Sequence, residues 1–370
     1  MAYGDLEKLY LFLDFLDLPF SKREGLLTAF SETELFALFG ERSHKLSPFL
    51  GERLDSLGEA KERFRDFLES LREKGVTAVC RCSPAYPDLL RNVGDPPLAL
   101  YAVGEISLLT SRCVAVVGRR ACRRKSLDYT RNFAEELARA GLTVVSGMAD
   151  GCDAEAHRGA LEVGGNTIAV LAGGFDHVYP QSNLGLFREI TEKGLVISEK
   201  PPSYRAQRHD FLLRNRIVAG LSEGVLVTCA AERSGTLSTA NAALEAGREL
   251  FVIPGDPDAE DSAGTNRLIK QLAGALVTEP ADILSALGLE PPDESRDSEE
   301  IPKVGEPQSL ILDVLREEEL HINEIAAALG QTYAELAPLL SLMEIQGLIE
   351  RLPANLYRKK ITHTGRKGTK

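Results

Sequence analysis

The stretch CVAVVGRRACRRKSLDYTRNFAEELARAGLTVVSGMADGCDAEAHRGAL, residues 113–161, predicts a strand, a basic loop, an amphipathic helix, a second strand, a glycine-rich loop and a helix start. Residues 113–117 and 142–145 are apolar without alternation, which is typical of parallel strands covered on both faces. Apolar residues recur at helical spacing from Phe133 to Ala140, and Gly141 stands where the helix should end. The stretch therefore predicts a βαβ unit.

Further buried strands are predicted at residues 167–171, 196–198, 225–228 and 250–253, and strand alternates with helix to about residue 287. This alternation is the pattern of an α/β protein with a doubly wound parallel sheet. The fold class of the central region follows from it.

The turn after the first strand is cationic rather than glycine-rich. A dinucleotide-binding fingerprint needs three glycines at fixed offsets, and only Gly118 is present here. The turn instead carries five cations within seven residues, namely Arg119, Arg120, Arg123, Arg124 and Lys125. Because open α/β sheets bind ligands at the carboxyl edge of their strands, the turn predicts an anionic ligand and no nucleotide cofactor. A solvated charged loop is the alternative interpretation.

Composition limits the classes of function. The net charge of −12 argues against a general coating of nucleic acid, so a polyanion site must be a local patch. Acidic residues among the first apolar ones exclude a signal or transit peptide, and no apolar run approaches the roughly 18 residues of a membrane span. The six cysteines form no C-x-x-C pair, which predicts reduced thiols in the cytoplasm rather than a disulfide or metal framework.

Patterning along the chain predicts several regions. They are a helical domain at 1–75, an α/β domain at 76–288, an acidic and proline-rich disordered linker at 289–307, a small domain at 308–360 and a basic tail at 361–370. The short helices of the first region are similar to helix-hairpin-helix or SAM-like modules. A packing domain without chemistry is the favoured interpretation of that region.

Nine short motifs between about residues 80 and 280 together resemble the DNA-processing protein family DprA, also called Smf. They are Tyr86-Pro87, Pro96-Pro97, Leu100-Tyr101, Val117-Gly118-x-Arg120, Val145-Ser146-Gly147-x-Ala149-x-Gly151-x-Asp153-x-x-Ala156-His157, Asp176-x-x-Tyr179-Pro180-x-x-Asn183, Arg214-Asn215-Arg216, Ser234-Gly235-Thr236-Leu237 and Gly264-x-Asn266-x-Leu268-Ile269. The resemblance implies an extended Rossmann-like fold that binds single-stranded DNA, forms a homodimer and helps load the RecA recombinase in natural transformation. It implies no catalytic activity and no cofactor.

The departures from the family pattern concern loops. The family's Gly-Ser-Arg is here Gly118-Arg119-Arg120, which adds positive charge. Cys229 stands where the family has a glutamate, and Gln181 where it often has a lysine. Ala172, Leu212 and Leu272 replace a glycine, a proline and a glycine of the family. These departures bear on loop geometry more than on charge.

The candidate nucleic-acid-binding residues combine side chains and loop amides. Arginines and Lys270 can neutralise phosphates, while amides of the Ser146-Gly147 and Ser234-Gly235-Thr236 turns can form anion-binding nests. On a helix, at most two residues of the Arg214-Asn215-Arg216 triplet can face a ligand. The full candidate set is Gly118, Arg119, Arg120, Ser146, Gly147, Gly151, Asp153, His157, Tyr179, Asn183, Arg214, Asn215, Arg216, Ser234, Gly235, Thr236 and Lys270.

An enzymatic interpretation is kept as the alternative. Asp153 and His157 lie four residues apart on a predicted helix and are candidates for general acid and base, although such a pair more often orders a loop. Ser234-Gly235-Thr236 is similar to the phosphate loop of the lysine-decarboxylase-like nucleotide N-glycosidases. That group shows a Pro-Gly-Gly-x-Gly-Thr motif followed by a glutamate, and here the first glutamate after Thr236 is Glu245, which counts against the alternative.

The region 308–360 predicts three short helices and a β-hairpin wing, which resembles the winged helix that some family members carry. The third helix contains Glu335 and Glu344 and no lysine or arginine, so reading of a major groove is not expected. Protein contact, or phosphate contact by the wing alone, is the favoured role. Residues 358–370 carry six lysines or arginines and no acid, which predicts some non-specific affinity for nucleic acid.

Overall fold

The computed structural model describes residues 3–41, 43–290, 306–315, 319–346 and 348–359. The chain divides into two compact units, Met1–Pro292 and Asp293–Lys370. Most of the predicted linker and the whole of the predicted basic tail lie outside the described residues. Among the described residues, no helix is long and apolar enough to cross a membrane.

The chain begins with a group of helices that packs on one end of the sheet. These helices are α1 (Asp5–Phe15), α2 (Phe20–Ala29), α3 (Glu32–Glu41), α4 (Ser47–Leu50) and α5 (Leu57–Glu73). Phe12 joins α1 to α3 and α5 by edge-to-face contacts with Phe39 and Phe64. The same apolar cluster includes Ala78 and Tyr101 from the sheet, so the helices share a core with the strands that follow.

Nine strands form one sheet, in the order β1-β2-β6-β5-β4-β3-β7-β8-β9. They are β1 (Thr77–Cys80), β2 (Ala99–Gly104), β3 (Cys113–Val117), β4 (Thr143–Ser146), β5 (Thr167–Leu171), β6 (Leu195–Ser198), β7 (Gly224–Val227), β8 (Glu249–Val252) and β9 (Ala275–Leu276). Seven neighbouring strands, β6-β5-β4-β3-β7-β8-β9, are parallel to one another. At one end of this sheet β2 pairs antiparallel with β6, and β1 pairs antiparallel with β2. The predicted strands are confirmed, with ends that differ by about one residue.

Helices cover both faces of this sheet. They are α6 (Asp88–Arg91), α7 (Arg124–Arg139), α8 (Cys152–Glu162), α9 (Leu184–Lys193), α10 (Asp210–Gly220), α11 (Thr236–Glu245), α12 (Ala263–Lys270) and α13 (Pro280–Ala286). Alternate residues of β3 serve opposite faces: Val114 and Val116 share a core with Phe133, and Ala115 and Val117 share another with Ile217. The predicted doubly wound α/β fold is confirmed.

The order of the strands creates a crevice beside β3. The chain runs from β3 through β4 and β5 to β6 on one side, and then returns to add β7 on the other side of β3. The loops that follow β3 and β7 therefore diverge at the carboxyl edge. In open α/β sheets, ligands bind at such a topological switch point.

The second unit is a winged helix. It contains α14 (Glu306–Leu315), β10 (Leu320–His321), α15 (Ile322–Leu329), α16 (Tyr333–Ile345), β11 (Ile349–Leu352) and β12 (Leu356–Lys359). The strands pair in the order β10-β12-β11, and Ile311, Ile325, Leu336, Leu340 and Tyr357 belong to one buried core. The predicted helices and hairpin wing are confirmed, and β10 adds a third strand.

Candidate nucleic-acid interface

A groove of about 1520 Å³ opens at the carboxyl edge of the sheet, at the switch point. The loops after β3, β4 and β7 line it, together with residues between β5 and α10. Of the candidate residues, Gly118, Arg119, Arg120, Gly147, Asp153, Tyr179, Arg214, Asn215, Ser234, Gly235 and Thr236 line the groove. Ser146, Gly151, His157, Asn183, Arg216 and Lys270 do not line it.

Most arginines of the β3 turn form ion pairs with acidic residues of the same chain. Arg119 pairs with Glu260 at 2.9 Å, Arg123 with Asp261 at 3.1 Å, and Arg124 with Asp128 at 3.1 Å. The sequence could not show this, because two of these acids come from the distant segment before α12. Of the arginines in this turn, only Arg120 has no acidic partner among the described residues.

Four arginines that line the groove have no acidic partner in the described part of the chain, namely Arg120, Arg205, Arg208 and Arg233. Four acids line the groove: Glu260 pairs with Arg119, Asp176 pairs with Lys74, and Asp153 lies beside Arg214, whereas Glu232 has no cationic partner among the described residues. The groove therefore has unneutralised positive charge although the whole chain is acidic. Arg205 and Arg208 escaped the sequence analysis because they lie in an irregular segment between β6 and α10.

An aromatic pair stands beside these arginines. The rings of Tyr179 and Phe211 meet edge to face, with centroids 5.6 Å apart. The guanidinium of Arg120 lies 5.3 Å from the centroid of Phe211. Tyr179 is 56 % exposed, which is unusual for a tyrosine, since large aromatic side chains are mostly buried. We call Arg120, Arg205, Arg208, Arg233, Tyr179 and Phe211 the groove rim.

Arg214 lies under the groove and is only 6 % exposed. Its Nη1 donates to the carbonyl of Gly147 at 2.6 Å and to the carbonyl of Val170. A Cβ at Gly147 would come within 2.4 Å of Nη2, so the backbone approach requires a glycine. Burial lowers the pKa of Arg214 to about 10, which still leaves the guanidinium charged at neutral pH.

Asp153 completes this buried group. Its carboxylate accepts from the backbone N–H of Ala149 at 3.4 Å and faces the guanidinium of Arg214. Burial raises the pKa of Asp153, and the charge of Arg214 acts in the opposite direction. Gly147, Asp153 and Arg214, together with His157, form what we call the groove floor. The guanidinium of Arg214 holds the loop after β4 and strand β5 together through its bonds to Gly147 and Val170.

His157 of α8 is fully buried, and its ring forms a hydrogen bond with Thr167 of β5. The hydroxyl of Thr167 donates to the carbonyl of Val144 at 2.8 Å, so the Nδ1–H of His157 must donate to Thr167 across 2.7 Å. Burial lowers the pKa of His157 to about 3, and the ring is neutral at physiological pH. Asp153 and His157 are therefore directed to different partners, an arrangement that suits structural roles better than general acid and base catalysis.

The arginine triplet on α10 points in three directions. Arg214 reaches the sheet, Asn215 donates to Ser238 Oγ of α11 at 2.7 Å, and Arg216 pairs with Glu199 at 2.6 Å. Asn215 lines the groove, whereas Arg216 does not. Lys270 is exposed at the end of α12 and does not line the groove.

Three other candidates support the loops from below. Ser146 donates its hydroxyl to Val116 O at 2.7 Å, and the amide of Asn183 donates to Met148 O at 3.0 Å. Gly151 has φ +78°, and a Cβ there would lie 2.3 Å from the carbonyl of Arg120. Ser146 and Gly151 thus hold β4 and its loop against β3 and its turn, and Asn183 ties the same loop to the segment before α9.

The start of α11 connects the two loops at the switch point. Thr236 donates its hydroxyl to the carbonyl of Gly118 at 3.0 Å, and its backbone N–H donates to Ser234 Oγ at 3.2 Å. Gly235 is the residue before the helix and lines the groove. The positive end of the α11 dipole therefore lies at the groove, where it favours an anion.

Comparisons with known proteins agree with this architecture. The family model described as DNA recombination-mediator protein A matches residues 77–288, and the one described as DprA winged helix domain matches residues 290–355. The chain is 39 % identical over 283 residues to protein Smf of Escherichia coli, covering 75 % of each chain. It is 39 % identical over 210 residues to DNA processing protein DprA of Bacillus subtilis, covering 56 % of this chain and 71 % of that protein.

Solved structures give the same result. The X-ray structure of DNA processing protein A from Streptococcus pneumoniae superposes with a TM-score of 0.67 at 33 % identity, over 78 % of this chain and 99 % of that one. A structure from Helicobacter pylori, described by its single-stranded DNA binding mode, has a TM-score of 0.53 at 31 % identity, over 57 % of this chain and 95 % of that one. The matched family consists of recombination mediators and not enzymes, so the nucleotide N-glycosidase alternative is not supported.

Proposed function

Because the chain belongs to the DNA recombination-mediator protein A family, we propose that it binds single-stranded DNA along the groove at the switch point of its sheet. The observation that carries the proposal is the groove rim, where four arginines without acidic partners among the described residues line the same groove as the exposed Tyr179 and the half-buried Phe211. Positive charge that tracks a backbone, combined with aromatic rings for stacking, is typical of binding to single strands.

The residues of the groove rim contact different parts of the DNA strand. Arg120, Arg205, Arg208 and Arg233 neutralise phosphates, and the amides at the start of α11 add an anion site. Tyr179 and Phe211 stack on bases, which every base permits because each has a π-face. The binding is therefore tolerant of sequence, and a duplex with its bases stacked inside is a poorer ligand.

The H. pylori relative supports the choice of ligand, since its structure is described by its binding of single-stranded DNA. The net charge of −12 supports a local interface, because a generally acidic surface repels nucleic acid outside the groove.

Titration of a fluorescent oligothymidine tests the proposal. We expect the double variant Tyr179→Leu, Phe211→Leu to lose about 1 to 3 kcal/mol of binding free energy for each base that it no longer stacks. The matched control is Phe36→Leu, an exposed aromatic residue on α3 that does not line the groove. Equal affinity for a duplex, or unchanged affinity in the double variant, would contradict the proposal.

We further propose that the protein acts in the cytoplasm as a homodimer that helps load RecA on single strands in natural transformation. Six cysteines without disulfides fit a reducing compartment, and the family's mediator role fits RecA loading. Light scattering with and without an oligonucleotide measures the dimer, and a monomer under both conditions contradicts it. RecA's DNA-dependent ATP hydrolysis on strands coated with single-strand-binding protein measures loading, and no stimulation contradicts it.

A further inference from the structure

Three cysteines that are distant in sequence converge beneath the β3 turn. Cys122 lies in the turn, Cys152 is the first residue of α8, and Cys229 follows β7. The sulfur of Cys152 lies 3.6 Å from that of Cys122 and 3.4 Å from that of Cys229. All three sulfurs lie within 4.8 Å of one another, and none is in a disulfide.

The spacing of these sulfurs suits a metal ion bound to all three. A zinc–sulfur bond is about 2.3 Å long, so three sulfurs at tetrahedral corners around one zinc ion stand about 3.8 Å apart. Movements of a few tenths of an ångström bring the observed sulfurs to that spacing. Two cysteines in contact suffice for a disulfide or for apolar packing, whereas convergence of three thiols on one point is what a metal site requires.

Two of the three sulfurs have a neighbour that stabilises negative charge. Cys152 lies at the N-terminus of the eleven-residue helix α8, where the dipole stabilises negative charge. The backbone amide of Arg119 faces the sulfur of Cys229. Three thiolates with one divalent ion leave a single negative charge, two positions along the chain from Arg120, which has no acidic partner among the described residues.

We propose that Cys122, Cys152 and Cys229 form a three-thiolate site for zinc, with the fourth position left to water that enters past the half-buried Cys122. Binding releases the thiol protons to solvent and joins the β3 turn to the starts of α8 and the β7 loop. The site is independent of the proposed function, and its test needs no DNA. Sequence reasoning missed it because the ligands are 30 and 77 residues apart.

Zinc chloride added to the full chain tests the proposal, after treatment with reductant and chelator and in competition with a chromophoric chelator. We expect one zinc ion per chain, and cobalt in its place should show thiolate-to-metal charge-transfer absorption. Cys122→Ser should weaken zinc binding by more than about 100-fold, since even loss of an outer-shell partner typically costs about 10- to 100-fold. The matched control is Cys82→Ser, which removes another half-buried thiol and should leave the affinity unchanged.

A second measurement keeps the test decisive if Cys122→Ser fails to fold. Zinc should protect Cys122, Cys152 and Cys229 of the unaltered chain from alkylation under mild denaturation, and should leave Cys82 reactive, as read by mass spectrometry. No bound zinc, cobalt spectra without thiolate absorption, or loss of binding in Cys82→Ser would each overturn the proposal.

Discussion

The groove floor and the groove rim contain the same type of cation in opposite situations. On the floor, Arg214 is buried, donates to two backbone carbonyls and faces Asp153. On the rim, Arg120 has no acidic partner among the described residues and covers the ring of Phe211. A buried charge that is fully bonded maintains a shape, whereas an exposed and unpaired charge is available to a ligand. The arginine triplet and the cationic turn look equivalent in sequence, yet Arg214 of the triplet has a structural role and Arg120 of the turn is free to contact a ligand.

The largest expected effect comes from the floor. Arg214→Ala leaves Asp153 buried without its cation and frees the carbonyls of Gly147 and Val170, so we expect a loss of roughly 3 to 5 kcal/mol in the free energy of unfolding. Urea denaturation followed by circular dichroism measures it. Arg120→Ala on the rim is the matched control and should change stability by no more than about 0.5 kcal/mol.

A double variant sharpens this result. Arg214→Met combined with Asp153→Asn removes both charges, so its loss should be smaller than the sum of the losses of Arg214→Met and Asp153→Asn measured singly, because neither charge is left unpaired. Strict additivity, or an Arg214→Ala protein of normal stability, would show that Arg214 is not part of a buried pair.

The next effect concerns the rim. For single strands, each neutralised phosphate adds about −0.7 to the slope of log affinity against log salt concentration, so Arg120→Ala with Arg208→Ala should flatten that slope by roughly 1.4. Anisotropy titrations with an oligonucleotide at several salt concentrations measure it. Arg65→Ala, an exposed arginine on α5, is the matched control. An unchanged slope in the folded double variant would place the ligand elsewhere.

Element order could be predicted from sequence, because buried parallel strands and amphipathic helices leave clear periodic patterns. The edge of the sheet at which the groove opens could also be predicted, from Gly118 and the cations at the end of β3. Burial of Arg214 and His157 could not be predicted, since it depends on how α10 and α8 pack on the sheet. The pairing of Arg119 with Glu260 joins residues 141 positions apart, and no local sequence pattern predicts such a contact.

A smaller effect on the floor is a dependence on pH. His157 has a pKa of about 3 in the folded protein against an ordinary value of 6.5, so the unfolded chain binds more protons between these values. Stability from this group is complete above about pH 6.5 and is lost as the pH falls toward 3, by at most about 1.4 kcal/mol per pH unit. Urea midpoints between pH 7 and 5 should therefore fall less steeply for His157→Gln than for the unaltered protein.

The exposed His44 supplies the control for that series. His44→Gln should keep the pH dependence of the unaltered protein, because its side chain is exposed and has no acidic partner among the described residues. If His157→Gln and the unaltered protein showed the same slope, the buried ring would not be the group that resists protonation.

The smallest effect comes from the second unit. Residues 290–370 include the winged helix, whose third helix carries Glu335 and Glu344 and no lysine or arginine, and the six cations of residues 358–370. Deleting 290–370 should weaken binding of single strands by less than about tenfold, or about 1.4 kcal/mol, because the rim remains intact. The preference for single strands over duplex should not change.

Deleting residues 360–370 alone separates the charges of the tail from the winged helix. This shorter deletion should account for most of the decrease, since four of the six cations, Lys360, Arg366, Lys367 and Lys370, lie within it. Loss of all binding on the longer deletion would make the winged unit the main DNA site. The rim arginines would then be a solvated surface, and their contrast with the floor would concern stability alone.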